Sequence, residues 1–283
     1  IAVGAGVVVA QYLGAKDRED AQRAVHTALA LAVLLGLVLT IGGILVSRAL
    51  LTAMDTPAEV LEDAVTYMQI YFGGVLFSVV YNMAAGILNA AGNSQRSLLY
   101  LGIASGTNIL LDLVLIAGLR MGVAGAAIAT VLAQLISTVG CFLYAFSKYP
   151  ELQLHRPDFA ITKNDVTQHI VQGVPLGLQF SVLSIGIITM QSVIVQFDME
   201  AGRIVSSAAQ TGFGAANRLH MLTMTPLNAF GTALTSFTAQ NLGAGKYDRI
   251  KQGTYACMFI GILYCVLFVL VAQFGTRYLS LLF

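Results

Sequence analysis

Few side chains in this sequence are equipped for chemistry, and the most isolated is Asp112, the one carboxylate set well inside a long apolar stretch. It lies about 7 residues, roughly 10 Å of helical rise, from the end of that stretch. Ser105, Asn108 and Asp112 fall at i, i+3 and i+7, which makes them a polar stripe on one helical face. Thr130, on the next apolar stretch, lies about 14 Å from its start, a depth similar to that of Asn108 and Asp112. A carboxylate, an amide and a hydroxyl can therefore converge. Their oxygens suit coordination of a hard monovalent cation such as Na⁺, or retention of a proton on Asp112. The carboxylate could also pair with a cationic ligand, which would then compete with the ion for one site. Such competition is the simplest route to exchange. The structural alternative is an Asp112 hydrogen-bonded within a helical bundle, but an ionisable residue at this depth is a functional hypothesis by default.

The elements that must position these residues are membrane helices. Apolar residues make up 57% of the 283, and the chain has 15 basic and 14 acidic residues where an ordinary soluble chain would carry about 70 charges. The mean hydropathy is +0.78. A net charge of +1 offers no global attraction for nucleic acid or an anionic surface. Apolar stretches long enough to cross a bilayer recur at 24–47, 65–90, 97–119, 121–147, 170–197, 215–240 and 254–275, which predicts seven spans. Residues 1–13 would rise only about 20 Å as a helix, so they read as the second half of a span.

Charge placement orients the spans. One set of alternating connections holds Lys16, Arg18, Arg23, Arg96, Lys148, Arg156, Lys163, Lys246, Arg249 and Lys251; the other holds Arg48, Arg120, Arg203, Arg218 and Arg277 with acidic Asp55, Glu59, Glu62 and Asp63. The richer set is expected in the cytoplasm. Its longest member, around 148–165, contains Pro150 and Pro157 and is expected to link an N-terminal lobe at 1–147 to a C-terminal lobe starting at 166–283. Thr56, Pro57 and Glu59 form the signature of a helix start: N-cap, first position and capping box.

Ala10-Gln11-Tyr12-Leu13-Gly14-Ala15 and Ala239-Gln240-Asn241-Leu242-Gly243-Ala244 agree at five of six positions, each at the inner end of a span and before a basic loop. The six spans between them, an even number, would make the repeats parallel, as in two-lobe transporters of about twelve helices. Pro175 and Pro226 fall inside spans and are expected to kink them. Ser105, Asn82, Gln134 and Gln179 are candidate substrate-cavity residues, and Gln69 and Gln191 also lie within spans, although interhelical hydrogen bonding serves the amides equally well. His26, His169 and His220 have no acid beside them and read as structural histidines; Cys141, Cys257 and Cys265 lack metal or disulfide spacing and read as packing residues. Motifs for hydrolases, zinc proteases or nucleotide binding are absent from the sequence.

Several segments resemble the multidrug and toxic compound extrusion (MATE) transporters: VVVAQYLGAKDREDAQRA at 7–24, DTPAEVLEDAVTYMQIYFGG at 55–74, GNSQRSLL at 92–99, NILLDLVLI at 108–116, GVAGAAIATVLAQ at 122–134 and AQNLGAGKYDRIKQ at 239–252. The resemblance implies an all-α polytopic protein, part of a twelve-helix bundle of two parallel six-helix lobes. It implies that the first helix and half of the second precede Ile1 and that three spans follow Phe283. One branch of the family places its coupling Asp and Asn on the fifth helix and a Thr on the sixth, matching Asp112, Asn108 and Thr130. Another branch uses a glutamate on the seventh helix, where this chain has no acid and Leu183 stands about at that place. The expected activity is antiport of small organic cations or drugs against H⁺ or Na⁺ by a monomer in the bacterial cytoplasmic membrane. It needs bilayer lipid but no cofactor and no nucleic acid, and it is not an enzyme. The alternatives are a flippase for lipid-linked saccharide, which would be expected to need mid-membrane cations, and a scaffold without transport.

Overall fold

The computed structural model describes residues 2–53, 58–149, 161–200, 203–204 and 208–279. In hydrocarbon no water is available to backbone N–H and C=O groups, so an apolar chain satisfies them within helices. The order is α1 (Ala2–Ala15), α2 (Arg18–Ala53), α3 (Ala58–Ala90), α4 (Ser94–Asp112) continued by a π-turn at Leu113–Gly118, then α5 (Gly122–Lys148), α6 (Lys163–Phe197), α7 (Ala208–Gly243) and α8 (Tyr247–Leu279). A two-residue antiparallel ribbon, β1 (Met199–Glu200) with β2 (Arg203–Ile204), pairs Met199 with Ile204 and Glu200 with Arg203 between α6 and α7. Leu45 is 75% exposed and Leu143 68%, as side chains facing lipid would be.

Seven helices are long, but among the described residues six are both long and apolar enough to cross a membrane. The exception is α7, read from the sequence as a span over 215–240. Its 36 residues carry six threonines and three asparagines, which dilute its hydropathy without breaking the helix. Many of these hydroxyls fold back on their own helix, as Thr223 Oγ1 does in donating to the Leu219 carbonyl at 2.8 Å. Pro175 and Pro226 both lie inside helices, α6 and α7. Residues 55–57 of the expected capping box and 150–160 of the expected linker lie outside the described residues; α3 does carry Glu59 in its first turn.

The chain divides into two compact units, 1–173 and 174–283, so the first turns of α6 belong with the N-terminal helices. The second unit starts inside α6 at Val174, eight residues beyond the lobe start expected at 166 and one before Pro175. Close contact explains it: a Cβ on Gly4 of α1 would lie 2.6 Å from the Gly173 Cα, and the Tyr12 hydroxyl donates to Gln168 Oε1 at 3.1 Å.

Within the first unit α3 packs against α1, α2 and α5, and α5 packs against α4. The core is made largely of alanine, including Ala5, Ala10, Ala28, Ala32, Ala127 and Ala129 at 0% exposure. Small residues suit helices that meet in lipid, where association depends on close packing rather than on the hydrophobic effect. In the second unit α7 and α8 pair, with the Tyr264 hydroxyl donating to the Thr223 carbonyl at 3.3 Å.

The two copies of the internal repeat end in the same turn. Asp17 N–H donates to the Tyr12 carbonyl and Lys16 N–H to that of Leu13; Lys246 and Gly245 make the equivalent bonds to Asn241 and Leu242. This is a Schellman closure, which needs one left-handed residue. Gly245 supplies it at φ +67°, whereas Lys16 adopts φ +60° as a non-glycine.

Candidate functional site

The depth of the site is set by how α3, α4 and α5 approach one another. A Cβ on Gly74 of α3 would lie 2.3 Å from a Val131 methyl, so its absence lets α5 seat close beside Thr130. On the other face of α5, Asn108 of α4 reaches across: its Nδ2 donates to Thr130 Oγ1 at 3.4 Å, a long and therefore weak bond. Thr130 in turn donates to the Ala126 carbonyl at 3.0 Å, one turn back on its own helix. The amide and hydroxyl expected to converge from different helices are thus in contact.

Asp112 lies one helical turn beyond Asn108, at the last α-helical residue before the π-turn. The residue is half-buried, and its Oδ1 is buried with no hydrogen-bond partner among the described residues. The two ion pairs found between described side chains, Arg23 with Asp20 and Arg48 with Glu62, leave it aside. A buried carboxylate oxygen without a donor is costly, by roughly 1–3 kcal/mol for a neutral group and more for a charged one. A cation or a proton at that oxygen removes the cost. The asparagine carbonyl oxygen one turn away and the threonine hydroxyl beyond it add hard oxygen ligands of the type that a monovalent cation takes. Among the described residues no three His, Cys, Asp or Glu side chains cluster as a transition-metal site would require.

The remaining candidates are not gathered in. Ser105 is exposed, although it shares the stripe. Gln134 is half-buried one turn from Thr130 on α5. Asn82 is exposed on α3 and returns its amide to the Ser78 carbonyl at 2.8 Å. Gln179 is exposed on α6 and belongs to the second compact unit.

Buried polar atoms without a hydrogen-bond partner among the described residues also occur at Thr27 Oγ1, Asn89 Oδ1 and His169 Nε2, but none of these is a carboxylate. His169 is 1% exposed, with Nδ1 at 2.8 Å from the Asp165 carbonyl. Asp198, one residue past the stretch read as a span, is 1% exposed, a buried acid that the hydropathy pattern does not reveal. Its Oδ1 accepts from Ala209 N–H at 3.0 Å and its Oδ2 from Gln210 N–H at 2.8 Å, which caps α7. The available sequence signal is an acid placed 10 residues ahead of a long helix, but the intervening ribbon hides the connection. Cys141 is buried as expected of a packing residue, while Cys265 is exposed.

Residues 1–114 and 181–283, more than half of the chain, match the MatE family. The probable multidrug resistance protein YpnP of Bacillus subtilis (strain 168) is 34% identical over 210 residues, covering 74% of this chain and 44% of its own length. The probable multidrug resistance protein YoeA of the same organism is 28% identical over 286 residues, covering 99% of this chain and 61% of its own. The chain thus spans about half the length of these curated relatives. In fold it is similar to an outward-facing conformation of a multidrug resistance MATE family transporter of the MOP superfamily, with a TM-score of 0.87 at 24% identity over 99% of this chain and 61% of that one.

Proposed function

The chain belongs to the MatE family, and on that premise we propose that it is part of a secondary antiporter that exports small organic cations or drugs in exchange for H⁺ or Na⁺. It is a multi-pass integral membrane protein of a transporter family, not an enzyme. The observation that carries the proposal is the buried Oδ1 of Asp112, without a partner among the described residues and one turn from Asn108 of the Asn108–Thr130 pair. A carboxylate held in this way has two stable conditions, neutralised by an ion or paired with a cationic cargo, and each excludes the other. Exchange then arises from alternating access. The ion enters Asp112 from the outer side and displaces the cargo outward; the site reopens inward and the ion leaves.

The two moving parts are a lobe at 1–147 and a lobe from 166 onward, joined by 148–165, with the first turns of α6, up to Gly173, staying packed on α1. The protein works as a monomer in a bacterial cytoplasmic membrane, without cofactor or nucleic acid. The absence of Lys and Arg from mid-span positions disfavours a pyrophosphate-bearing cargo, and a scaffold has no use for an open carboxylate.

The test is efflux of a fluorescent organic cation from proteoliposomes holding the full-length protein under an imposed pH or sodium gradient. One gradient is expected to drive efflux, and Asp112→Asn at equal protein level is expected to abolish it. A dye that neither gradient moves, or a variant as active as wild type, would bring the flippase and scaffold readings forward.

A further inference from the structure

The helix that carries Asp112 changes its hydrogen-bond register directly after that residue. Through the π-turn Leu113–Gly118 the pattern widens, so that Leu119 N–H donates to the Val114 carbonyl, five residues back, at 2.8 Å. Met121 N–H then reaches the Leu115 carbonyl at 2.9 Å. The wider register takes Leu113–Gly118, the last turns of this helix, off the α-helical spacing that holds Asn108 and Asp112 on one face. A π-turn is less stable than the α-helix it interrupts, and it persists where surrounding packing holds it.

That packing comes from the start of α5. Gly125 is buried there, and a Cβ on it would lie 3.0 Å from the Met121 Cβ and 3.3 Å from both the carbonyl carbon and the Cβ of Leu115. Two of these three atoms belong to the π-turn, and one is backbone that cannot swing aside. The connection between the two helices holds Arg120, a non-glycine, in the left-handed region at φ +53°, beside Gly122 at φ +57°, which adopts it without strain. The turn therefore follows directly on Asp112 in the chain and is packed by α5 at Gly125.

We propose that Gly125 is a positioning residue for the ion site: by letting α5 seat on Leu115 it holds the π-turn that follows Asp112, and this seat sets where the Asp112 carboxylate stands relative to Thr130 of α5. Gly125 has no side chain to bind an ion and acts only through the turn. The inference rests on the reading of Asp112 as the coupling carboxylate.

The experiment is gradient-driven dye efflux by the full-length protein in proteoliposomes, titrated with the coupling ion to separate its half-saturating concentration from the maximal rate. Gly125→Ala is expected to raise the half-saturating concentration about threefold and Gly125→Val about tenfold, with maximal rates changed by about twofold or less. Gly140→Ala is the control: a Cβ there would lie 2.8 Å from the Tyr100 ring on the same helix pair, but far from the π-turn. It is expected to lower thermal stability and leave the ion dependence where it was.

Equal shifts for Gly125 and Gly140, or no shift for Gly125 while Asp112→Asn abolishes coupling, overturn the positioning role. Full coupling in Asp112→Asn overturns the ion-site reading instead. If the Gly125 variants do not accumulate, Val114→Ala with Ile116→Ala probes the same turn, since it replaces two half-exposed β-branched residues with the strongest helix former. A rise in half-saturating concentration is again expected, and an unchanged one contradicts the proposal.

Discussion

At the Lys/Arg-rich end of the α4–α5 pair, Asn93 Oδ1 accepts from Arg96 N–H at 3.3 Å while its amide donates to the hydroxyls of Tyr144 at 3.2 Å and Tyr149 at 2.7 Å. The Arg96 guanidinium lies 4.9 Å from the centre of the Tyr144 ring, Ser137 donates to the Tyr100 carbonyl, and Thr138 donates to that of Phe77 at 3.0 Å. At the opposite end of the same two helices a 3.4 Å bond joins Asn108 to Thr130, a π-turn ends α4, Arg120 is left-handed, and a carboxylate oxygen is buried without a donor among the described residues. Saturated polar groups rigidify a bundle, whereas an unsatisfied one leaves room for a partner that comes and goes. On the proposed function, one end of the pair is a fixed clamp and the other a socket for the exchanged ion.

The sharpest way to break this comparison is Asp112→Asn. It is expected to remove gradient-driven efflux by about two orders of magnitude or more while the protein melts within a few degrees of wild type. A loss of folding instead would place Asp112 among the structural groups. Next in size, Thr130→Val keeps shape but deletes the hydroxyl that Asn108 meets. If the coupling ion is Na⁺, its half-saturating concentration is expected to rise about tenfold, with Thr130→Ser near wild type; if the ion is H⁺, Thr130→Val is expected to shift it by less than about twofold. The same titration therefore names the ion.

The clamp gives smaller effects of another kind. Asn93→Ala removes the cap of α4 and both tyrosine contacts, and is expected to cost about 1–2 kcal/mol in thermal unfolding with no change in ion dependence. A change in coupling would erase the distinction between the two ends. Smallest of all, Arg120→Gly relieves the left-handed strain at the socket and is expected to add roughly 0.5 kcal/mol, net of the greater chain entropy of glycine. A destabilised variant would mean that Arg120 is held there by contacts worth more than its strain.

Much of this architecture is legible in the sequence, because hydropathy over about 20 residues is a strong signal and helical rise converts sequence position into depth. Those two rules alone place Asn108 level with Thr130. The same stripe admits Ser105, which is exposed in the structure, since periodicity fixes a face only to within the width of that face. The π-turn is not legible. Leu113 to Gly118 is as good an α-helix by propensity as its surroundings, and the added residue in the register depends on the seat that Gly125 offers from another helix. The division at Gly173 escapes for a similar reason: a proline-containing linker is visible in sequence, whereas the contact of Gly4 with Gly173 exists only after α1 and α6 have packed.

The central claim is that the Asp112 carboxylate exchanges an ion. It is tested most directly by carbodiimide modification of the purified full-length protein, with labelling at Asp112 read by peptide mass spectrometry with and without sodium and an organic cation. Carbodiimides react with carboxyls in apolar surroundings, so Asp112 is expected to label, and a sodium ion or organic cation that takes the site is expected to suppress that labelling. An Asp112 that never labels, or that labels equally whether or not sodium or the organic cation is present, would contradict the claim.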